Sequence, residues 1–250
     1  IATDVCSGNR IRWSHNYSGN IADYCSDAGE LVTFTVTDEC NNFSSSSARI
    51  IVRDRIAPIW NISPVNLRLE CNGAHGRDPY GAVTSWLNKV GDGVALDSCQ
   101  LTVNYTNNAA AQPWVGGCNS KTGSKTVTFT ASDACGNTST RVATVTIIDT
   151  TRPLITIPAK DSIVNCDGTG NIAALNVWLL NNGGARAFDD CSGTATTSGI
   201  LRWTNSLMRT DEGCGLTRTH FYMFNAVDSC NNVSVATIAK FIIQDTMVPI

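Results

Sequence analysis

The sequence predicts an all-β protein made of tandem β-sandwich domains, each with one short helix and with disulfides. A segment with the pattern strand, tight turn, strand and linker occurs three times along the chain. The cysteines in its turns, Cys40, Cys135 and Cys230, are 95 residues apart. β-branched residues alternate with polar ones in these strands, which is typical of half-buried β-strands. The third observation is the content of 11 cysteines in 250 residues, which indicates a disulfide framework.

The repeat period sets the predicted domain organisation. A period of this length is that of a whole domain and not of a solenoid unit. It predicts a partial domain over residues 1–57 and full domains over residues 58–152 and 153–250, the last including the start of a further linker. We call these repeat 1, repeat 2 and repeat 3. Because the chain opens in mid-repeat, we expect it to be an excerpt of a longer protein.

The repeated segment is clearest in repeat 2. Thr126–Ala131 alternates apolar and polar residues, which predicts a strand with one buried face. Asp133, Gly136 and Asn137 mark the turn. Val142–Ile148 is a second β-branched run, and Pro153 ends it.

The front part of each full repeat predicts a short strand and a helix. In repeat 2 the strand is Val65–Glu70, and Asp78 and Pro79 suit the first turn of the helix. In repeat 3 Asn171 takes the cap position, and Gly183-Gly184 ends the helix. Apolar residues at helical spacing form one face of each helix. They are Val83, Trp86, Leu87 and Val90 in repeat 2, and Ile172, Leu175, Trp178 and Leu179 in repeat 3.

The cysteines indicate an oxidising compartment. Each full repeat has four and the partial repeat has three. They are Cys71, Cys99, Cys118 and Cys135 in repeat 2, Cys166, Cys191, Cys214 and Cys230 in repeat 3, and Cys6, Cys25 and Cys40 in repeat 1. Zinc is the competing interpretation of four cysteines, but the chain has no close Cys-x-x-Cys pair. Disulfides are therefore predicted, and with them an extracellular location.

The four cysteines of a repeat can form disulfides in three alternative pairings, and the predicted strands favour one of them. A bridge needs Cα atoms within about 7 Å, whereas a seven-residue strand spans about 23 Å. In repeat 2 the strand Leu101–Thr106 therefore separates Cys99 and Cys135, at the leading end of the domain, from Cys71 and Cys118, at its trailing end. We expect bridges within each repeat, and the other connectivities stay open. The expected pairs are Cys71–Cys118, Cys99–Cys135, Cys166–Cys214, Cys191–Cys230 and Cys6–Cys40, with Cys25 left without a partner.

The repeated segment resembles a known family. VTFTASDACGNTSTRVATVTIIDTTRP resembles the hyalin-type (HYR-like) immunoglobulin-like repeats of very large secreted bacterial surface proteins. CDGTGNIAALNVWLLNNGGARAFDDC resembles the front part of the version common in gliding marine bacteria. The resemblance implies an Ig-like β-sandwich at the cell surface and a role in adhesion or in an extracellular appendage, such as a grappling-hook-like fibre. It also implies a homo-oligomer or filament.

Several function classes find no support in the residues. The net charge of −3 argues against a nucleic-acid partner and supplies no basic stripe for a membrane. No apolar run is long enough to cross a bilayer. His15, His75 and His220 occupy non-equivalent repeat positions, and no nucleophile elbow, zinc-protease helix or P-loop occurs. We therefore expect a structural and adhesive segment, a disulfide-stapled stalk, and not an enzyme.

The tryptophans raise an alternative function. Four of them occupy equivalent positions in pairs, which favours core packing: Trp13 with Trp203, and Trp86 with Trp178. Trp60 and Trp114 have no equivalents and are the candidates for ligand contact. The alternative is therefore a carbohydrate-binding or spacer module of a secreted multidomain enzyme, with a cell-surface or glycan ligand.

Aspartates give the candidate metal sites. An Asp lies two residues before the cysteines at the leading end of each full repeat, and another lies in each linker just before the proline. Two sets of three are expected to converge: Asp54, Asp97 and Asp133, and Asp149, Asp189 and Asp228. Three carboxylates at one point suit Ca²⁺, which takes six to eight oxygen ligands. The competing interpretation is that each Asp caps its own turn.

Overall fold

The computed structural model describes residues 1–21, 25–71, 77–99, 102–194 and 201–248, with the side chains of residues 193–194 excepted. The described chain is mostly β-strand, its sheets lie in a sandwich-like arrangement, and its helices are short, which confirms the predicted fold class. His75 and Leu101, named above, lie outside the described residues.

The bounds of the elements follow the repeats. Repeat 1 contains β1 (Arg12–His15), β2 (Glu30–Thr37) and β3 (Phe43–Ile50). Repeat 2 contains β4 (Ile59–Ile62), β5 (Leu67–Glu70), α1 (Ala82–Asn88), β6 (Val94–Leu96), β7 (Asn104–Asn107), β8 (Gly123–Ser132) and β9 (Thr138–Ile148). Repeat 3 contains β10 (Leu154–Ile157), β11 (Ser162–Asn165), α2 (Ile172–Leu180), β12 (Arg186–Asp189), β13 (Gly193–Thr194), β14 (Arg202–Glu212), β15 (Arg218–Val227) and β16 (Thr237–Gln244). The strands and helices predicted for repeats 2 and 3 are thus present, with ends shifted by a few residues.

The chain divides into two compact units that do not coincide with the repeats. Unit 1 comprises Ile1–Pro64, Asp92–Asn107 and Thr128–Arg141. Unit 2 comprises Val65–Gly91, Asn108–Val127 and Val142–Ile250. The boundaries at residues 57/58 and 152/153 stay a prediction.

Unit 1 contains one antiparallel sheet in the order β1-β2-β3 and the antiparallel pair β4 and β6. The C-terminal part of β8 pairs with β7. Phe129 and Ala131 of β8 are fully buried, as the alternation predicted. The equivalent of Phe129 in repeat 1, Phe34, is 39% exposed, and Trp13 is 58% exposed. The core position expected for Trp13 is therefore wrong, and all four residues of its strand, β1, are exposed.

Unit 2 contains the four-stranded sheet β11-β16-β15-β14, in which β11 runs parallel to β16 and the other pairs are antiparallel. A second sheet has the order β10-β12-β13, and β5 runs parallel to the C-terminal part of β9. Helix α2 covers the larger sheet. Its Trp178 ring lies 5.2 Å from the Phe224 ring and 5.7 Å from the Phe241 ring, and its indole N–H donates to the Lys160 carbonyl at 3.1 Å. Ile172, expected on the buried face, is exposed.

Helix α1 has the same anchor one period earlier. Trp86 is buried, and its indole N–H donates to the Val65 carbonyl at 2.9 Å. Asp78 accepts the Val83 N–H at 2.6 Å, so its carboxylate binds the first turn as predicted. In repeat 3, Asn171 occupies the N-cap but makes no side-chain cap bond.

Candidate functional site: aspartate clusters and the disulfides beside them

All eleven cysteines lie within the described residues, and six of them form three disulfides. The bridges are Cys25–Cys135, Cys71–Cys191 and Cys118–Cys230, with Cα atoms 4.7, 5.7 and 5.1 Å apart, inside the range that disulfides require. Their sequence separations of 110, 120 and 112 residues exceed the repeat period. Each bridge therefore joins a cysteine of one repeat to a cysteine of the next.

The predicted pairing within repeats is wrong. None of the pairs Cys71–Cys118, Cys99–Cys135, Cys166–Cys214, Cys191–Cys230 and Cys6–Cys40 is formed, and Cys25, expected to lack a partner, is bonded. The grouping by domain ends agrees with the structure: every bridge joins a trailing-end cysteine to a leading-end cysteine of the following repeat. Equivalent cysteines recur in every repeat, so spacing alone could not distinguish these partners. The remaining cysteines, Cys6, Cys40, Cys99, Cys166 and Cys214, are free thiols.

The three aspartates predicted to converge in repeat 3 are all buried. Asp149 follows β9, Asp189 ends β12 and Asp228 follows β15. Their exposed fractions are 7%, 2% and 4%. Buried carboxylates are costly unless they are paired or bind a cation.

One oxygen of each carboxylate binds its own turn. Asp189 Oδ1 accepts the N–H groups of Cys191 and Ser192 at 3.0 and 2.7 Å. Asp149 Oδ1 accepts the Thr151 N–H at 3.3 Å and its hydroxyl at 3.1 Å. The turn-cap interpretation is therefore correct for these oxygens. The second oxygens, Oδ2 of Asp149 and of Asp189, are buried and have no hydrogen-bond partner among the described residues.

Asn232 holds the third aspartate against the linker. Its side-chain N–H₂ donates to Asp228 Oδ2 at 2.8 Å and to the Asp149 carbonyl at 3.2 Å. One oxygen of Asp149, one of Asp228 and Cys230 Sγ lie within 4.8 Å of one another. Because Cys230 is disulfide-bonded, its sulfur is no thiolate ligand, and the usable donors are oxygens.

Burial and neighbouring negative charge raise the pKa values of Asp149 and Asp189. Burial first, and then the charges of Asp189 and Asp228, raise the pKa of Asp149 to about 6, against the lowering effect of its hydrogen bonds with Thr151. Burial also raises the pKa of Asp189, against the lowering effect of its backbone hydrogen bonds. This negative charge is thus poorly compensated by protein groups alone.

The same arrangement occurs in unit 1. Asp54 and Asp133 are 6% and 4% exposed. Oxygens of Asp54 and Asp97 and Cys99 Sγ lie within 4.8 Å of one another. Asn137 donates to Asp133 Oδ2 at 2.8 Å and to the Asp54 carbonyl at 3.3 Å, the same two contacts that Asn232 makes. Oδ2 of Asp54 is buried without a hydrogen-bond partner in the described part of the chain.

Asn137 was predicted as a turn residue, but the contact of these asparagines with the linker was not predicted. The signal was present, because Asp-x-Cys-x-Asn occurs in each repeat, at residues 38–42, 133–137 and 228–232. The resulting clusters offer hard oxygen donors and up to three negative charges. Such donors match Ca²⁺, which accepts irregular sets of carboxylate, carbonyl and water oxygens, better than zinc, which prefers nitrogen and sulfur.

A third cluster, which contains Glu70, has a different role. Glu70, Asp149, Cys71 and Cys191 offer atoms within 4.8 Å of one another, but both sulfurs are in one disulfide. Glu70 accepts the Thr150 N–H at 2.5 Å and its hydroxyl at 3.0 Å. It therefore holds the linker.

The candidate ligand contacts differ in exposure. Trp60 is 7% exposed and packs on Tyr105 at 5.8 Å between ring centroids, so it is a core residue and its predicted contact role is wrong. Trp114 is partly exposed, and the cationic groups of Arg77 and Lys125 lie 5.4 and 5.3 Å from its ring. The alternative of a glycan-binding module now depends on Trp114.

The fold and these clusters define a tandem β-sandwich protein whose successive repeats are joined by disulfides. No family model and no curated protein matches its sequence. In structure the chain is similar to protocadherin gammaB7 EC3-6, with 10% identity over 93% of this chain and 68% of that chain, at a TM-score of 0.33. It is similar to Drosophila N-cadherin EC1-4, with 11% identity over 86% of this chain and 57% of that chain, also at 0.33. It is also similar to the Sidekick-1 immunoglobulin domains 1-5, with 12% identity over 94% of this chain and 52% of that chain, at a TM-score of 0.32.

These similarities are too distant to carry an argument about function or partners. Neither described helix is long and apolar enough to span a membrane.

Proposed function

We propose that the chain is a load-bearing segment of an extracellular adhesive or appendage protein, in which disulfides lock each repeat to the next. The observation that carries this proposal is the register of the bridges, each of which passes from one repeat to the following one. A disulfide within a domain protects only that domain. A bridge to the next domain also carries tension past the linker.

The bridges create a short covalent path through the molecule. From residue 1 the path runs to Cys25, crosses to Cys135, returns to Cys118, crosses to Cys230 and continues to residue 250. It includes about 60 residues, which fully extended span about 20 nm. The whole chain of 250 residues would span about 85 nm. The bridges thus limit extension to about a quarter of the chain's contour.

Calcium is the second part of the proposal. A Ca²⁺ ion at Asp149, Asp189 and Asp228 would compensate the buried charge and hold the linker residue Asp149 against two turns of repeat 3. A second ion would act in the same way at Asp54, Asp97 and Asp133. In the family that the sequence resembles, such repeats belong to large bacterial surface proteins, and we place this chain in a filament or hook of that kind.

Force spectroscopy tests the mechanical role. The chain is held at residues 1 and 250 and stretched with and without reductant. We expect a maximal extension of about 20 nm without reductant and about 85 nm with it. Equal extension in both conditions would contradict the proposal.

Two variants form a matched pair for this experiment. Cys118→Ser removes a bridge from the short path, and the shortest remaining path includes about 130 residues, so the limit should rise to about 45 nm. Cys71→Ser removes a bridge that is not on the path, so the limit should stay near 20 nm. Similar lengthening in both variants would show that the bridges do not bear the load as proposed.

A further inference from the structure

We infer that a groove between helix α2 and strand β14 of repeat 3 binds a neutral carbohydrate. The described residues that line this groove are Asn176, Leu179, Leu180, Asn182, Trp203 and Asn205. The sequence analysis predicted a ligand contact for none of them, and the groove uses neither the disulfides nor calcium. The inference therefore goes beyond the proposed function, because it assigns a binding site and the class of its ligand.

One side of the groove comes from the four-stranded sheet. β14 is the outermost strand in the order β11-β16-β15-β14, and Asn205 lies opposite Phe224 of β15. Opposed residues of an antiparallel pair project from the same face of a sheet. Trp203, two residues before Asn205, projects from that face as well. Helix α2 covers the same face through Trp178 and Phe224, so Trp203 and Asn205 lie beside the helix.

The other side of the groove comes from α2 and the turn after it. Asn176, Leu179 and Leu180 are spaced i, i+3 and i+4, so they share one face of the helix. Leu180 is 83% exposed, although an apolar side chain gains free energy when it is covered. Asn182 is the first residue of the turn that follows the helix. This side therefore offers two carboxamides and two leucine side chains.

The asparagines of the groove have unused hydrogen-bonding groups. In the part of the chain that the structure describes, the side chains of Asn176, Asn182 and Asn205 have no hydrogen-bond partner. Asn137 and Asn232, by contrast, donate their side-chain N–H groups to aspartates. Each carboxamide carries two N–H donors and one carbonyl acceptor. The groove thus presents three such groups that are free to bind a ligand.

Local structure does not require these asparagines. Asn182 has a left-handed backbone with φ of 57°, but Val90, the first residue of the turn after α1, adopts φ of 58°. The turn can therefore form without an asparagine. Thr84 precedes the tryptophan of α1 by two residues, as Asn176 does in α2, and it donates its hydroxyl to Asp78 at 2.5 Å. Asn176 has no such role within the described chain.

The groove is held by rigid parts of the fold. Its volume is about 500 Å³, within the range of about 300–1,000 Å³ that is typical of ligand pockets. Trp203 packs against the core cluster that contains Leu201. A Cβ atom on Gly183, next to Asn182, would lie 3.3 Å from Trp178 Cζ2, so this turn packs closely on the helix. A rigid site loses little conformational entropy when a ligand binds.

The chemistry of the lining indicates the class of ligand. All six lining side chains are uncharged, so they provide no counter-charge for phosphates or other ions. Carboxamides bind hydroxyl groups both as donors and as acceptors, and an indole ring with leucine side chains gives apolar contact. A neutral sugar has both hydroxyl groups and an apolar ring face. An extended peptide is the competing ligand, but it would pair with main-chain groups at a sheet edge, whereas side chains line this groove.

The experiment titrates the intact, disulfide-bonded chain with maltotriose, cellotriose, mannotriose, chitotriose and lactose, each up to about 10 mM. Calorimetry measures Kd, and NMR follows the side-chain N–H signals. We expect at least one of these sugars to bind with a Kd of about 0.01–1 mM and to shift the signals of Asn176, Asn205 and Trp203, while the Trp114 signal stays in place. Because the lining is uncharged, Kd should be the same at low and high salt, and in EDTA and in calcium.

Two variants at exposed positions test the contacts. Asn176→Ala and Asn205→Ala should each weaken binding about 3- to 10-fold, since each removes a hydrogen-bonding side chain. The matched control is Asn181→Ala, because Asn181 is exposed and adjacent to Asn182 but does not line the groove. Its Kd should equal that of the wild type. Circular dichroism confirms that each variant is folded.

Several results would overturn the inference. They are no binding of any of these sugars at the highest concentration, unchanged binding by the double variant Asn176→Ala/Asn205→Ala, binding that requires calcium, and tighter binding of a sulfated oligosaccharide or of an extended peptide. Sugar binding by a chain whose extension under force does not depend on reductant would overturn the proposed function and leave this inference standing.

Discussion

Replacing Asp149 with asparagine should change stability in opposite directions with and without calcium. Asparagine has nearly the same shape and carries no charge. Without calcium, the folded protein holds the Asp149 carboxylate at a pKa of about 6, because burial and then Asp189 and Asp228 oppose its ionisation. The shift from the ordinary 3.8 is about 2 pKa units, and each unit corresponds to about 1.4 kcal/mol. The ionised carboxylate therefore costs the folded state up to about 3 kcal/mol.

The pH dependence of this destabilisation follows from the raised pKa of Asp149. Below pH 3.8 the carboxyl is protonated in both states and costs nothing. The cost grows as the pH rises towards 6, and it is complete above that value. At pH 7.5 in EDTA, Asp149→Asn should thus be more stable than the wild type. For a chain of this size, 1 kcal/mol corresponds to about 2–4 °C, so the gain is up to about 6–12 °C in Tm.

Calcium should reverse the order of stability of the wild type and Asp149→Asn. Millimolar Ca²⁺ should raise the Tm of the wild type, since a ligand that binds only the folded state stabilises it. It should raise the Tm of Asp149→Asn much less, because a charged ligand atom is lost. The assay is thermal unfolding by circular dichroism at pH 7.5, in EDTA and in calcium, with disulfides intact.

Asp167→Asn is the matched control in the same unit. Backbone N–H groups of Thr169 and Asn171 lower the pKa of Asp167, so its loss should destabilise the protein equally with and without calcium. A lower Tm for Asp149→Asn than for the wild type in EDTA would show that the buried charge does not destabilise the folded state. Tm values of the wild type that are identical in EDTA and in calcium would refute the calcium site.

Three further predictions concern the rest of the chain. Loss of the Cys118–Cys230 bridge by Cys118→Ser should lower the free energy of unfolding by up to about 4.8 kcal/mol, since it closes a long loop with a sequence separation of 112; urea unfolding measures this, and a loss below about 1 kcal/mol would contradict it. Trp86→Ala, at a buried site, should cost about 3–5 kcal/mol, whereas the same change at Trp13, which is 58% exposed, should cost under about 1 kcal/mol by the same assay. Burial and then Arg218 lower the pKa of His220, so the stability it contributes is present above the unfolded pKa of about 6.5 and is lost as the pH falls through the lowered value; His220→Gln should flatten the fall in Tm between pH 7.5 and 5, and an unchanged slope would count against it.

The sequence was sufficient to predict the features that depend on residues close together along the chain, which are the strands, the helices and the turns. Alternation of apolar and polar residues predicted β8, because a strand places successive side chains on opposite faces. Helical spacing predicted α1 and α2. The positions of Asp149, Asp189 and Asp228 before cysteines and prolines, with a common repeat period, also predicted their convergence, since equivalent turns lie at the same end of each domain.

The tertiary structure decided which cysteines pair and which side chains are buried, because the repeated sequence is compatible with more than one answer to both questions. Cys118 has a candidate partner in its own repeat, Cys135, and an equivalent one in the next repeat, Cys230. Only the folded chain shows that the Cα atoms of Cys118 and Cys230 lie 5.1 Å apart. Whether a tryptophan recurs at the same position of another repeat did not predict its exposure either. Trp60 has no such counterpart and is buried, whereas Trp13 has one, Trp203, and is exposed. Burial depends on which distant segments cover a side chain. In the part of the chain that the structure describes, the second oxygens of Asp149 and Asp189 are buried without a hydrogen-bond partner, and no local motif predicts this, because burial is a property of the packed chain.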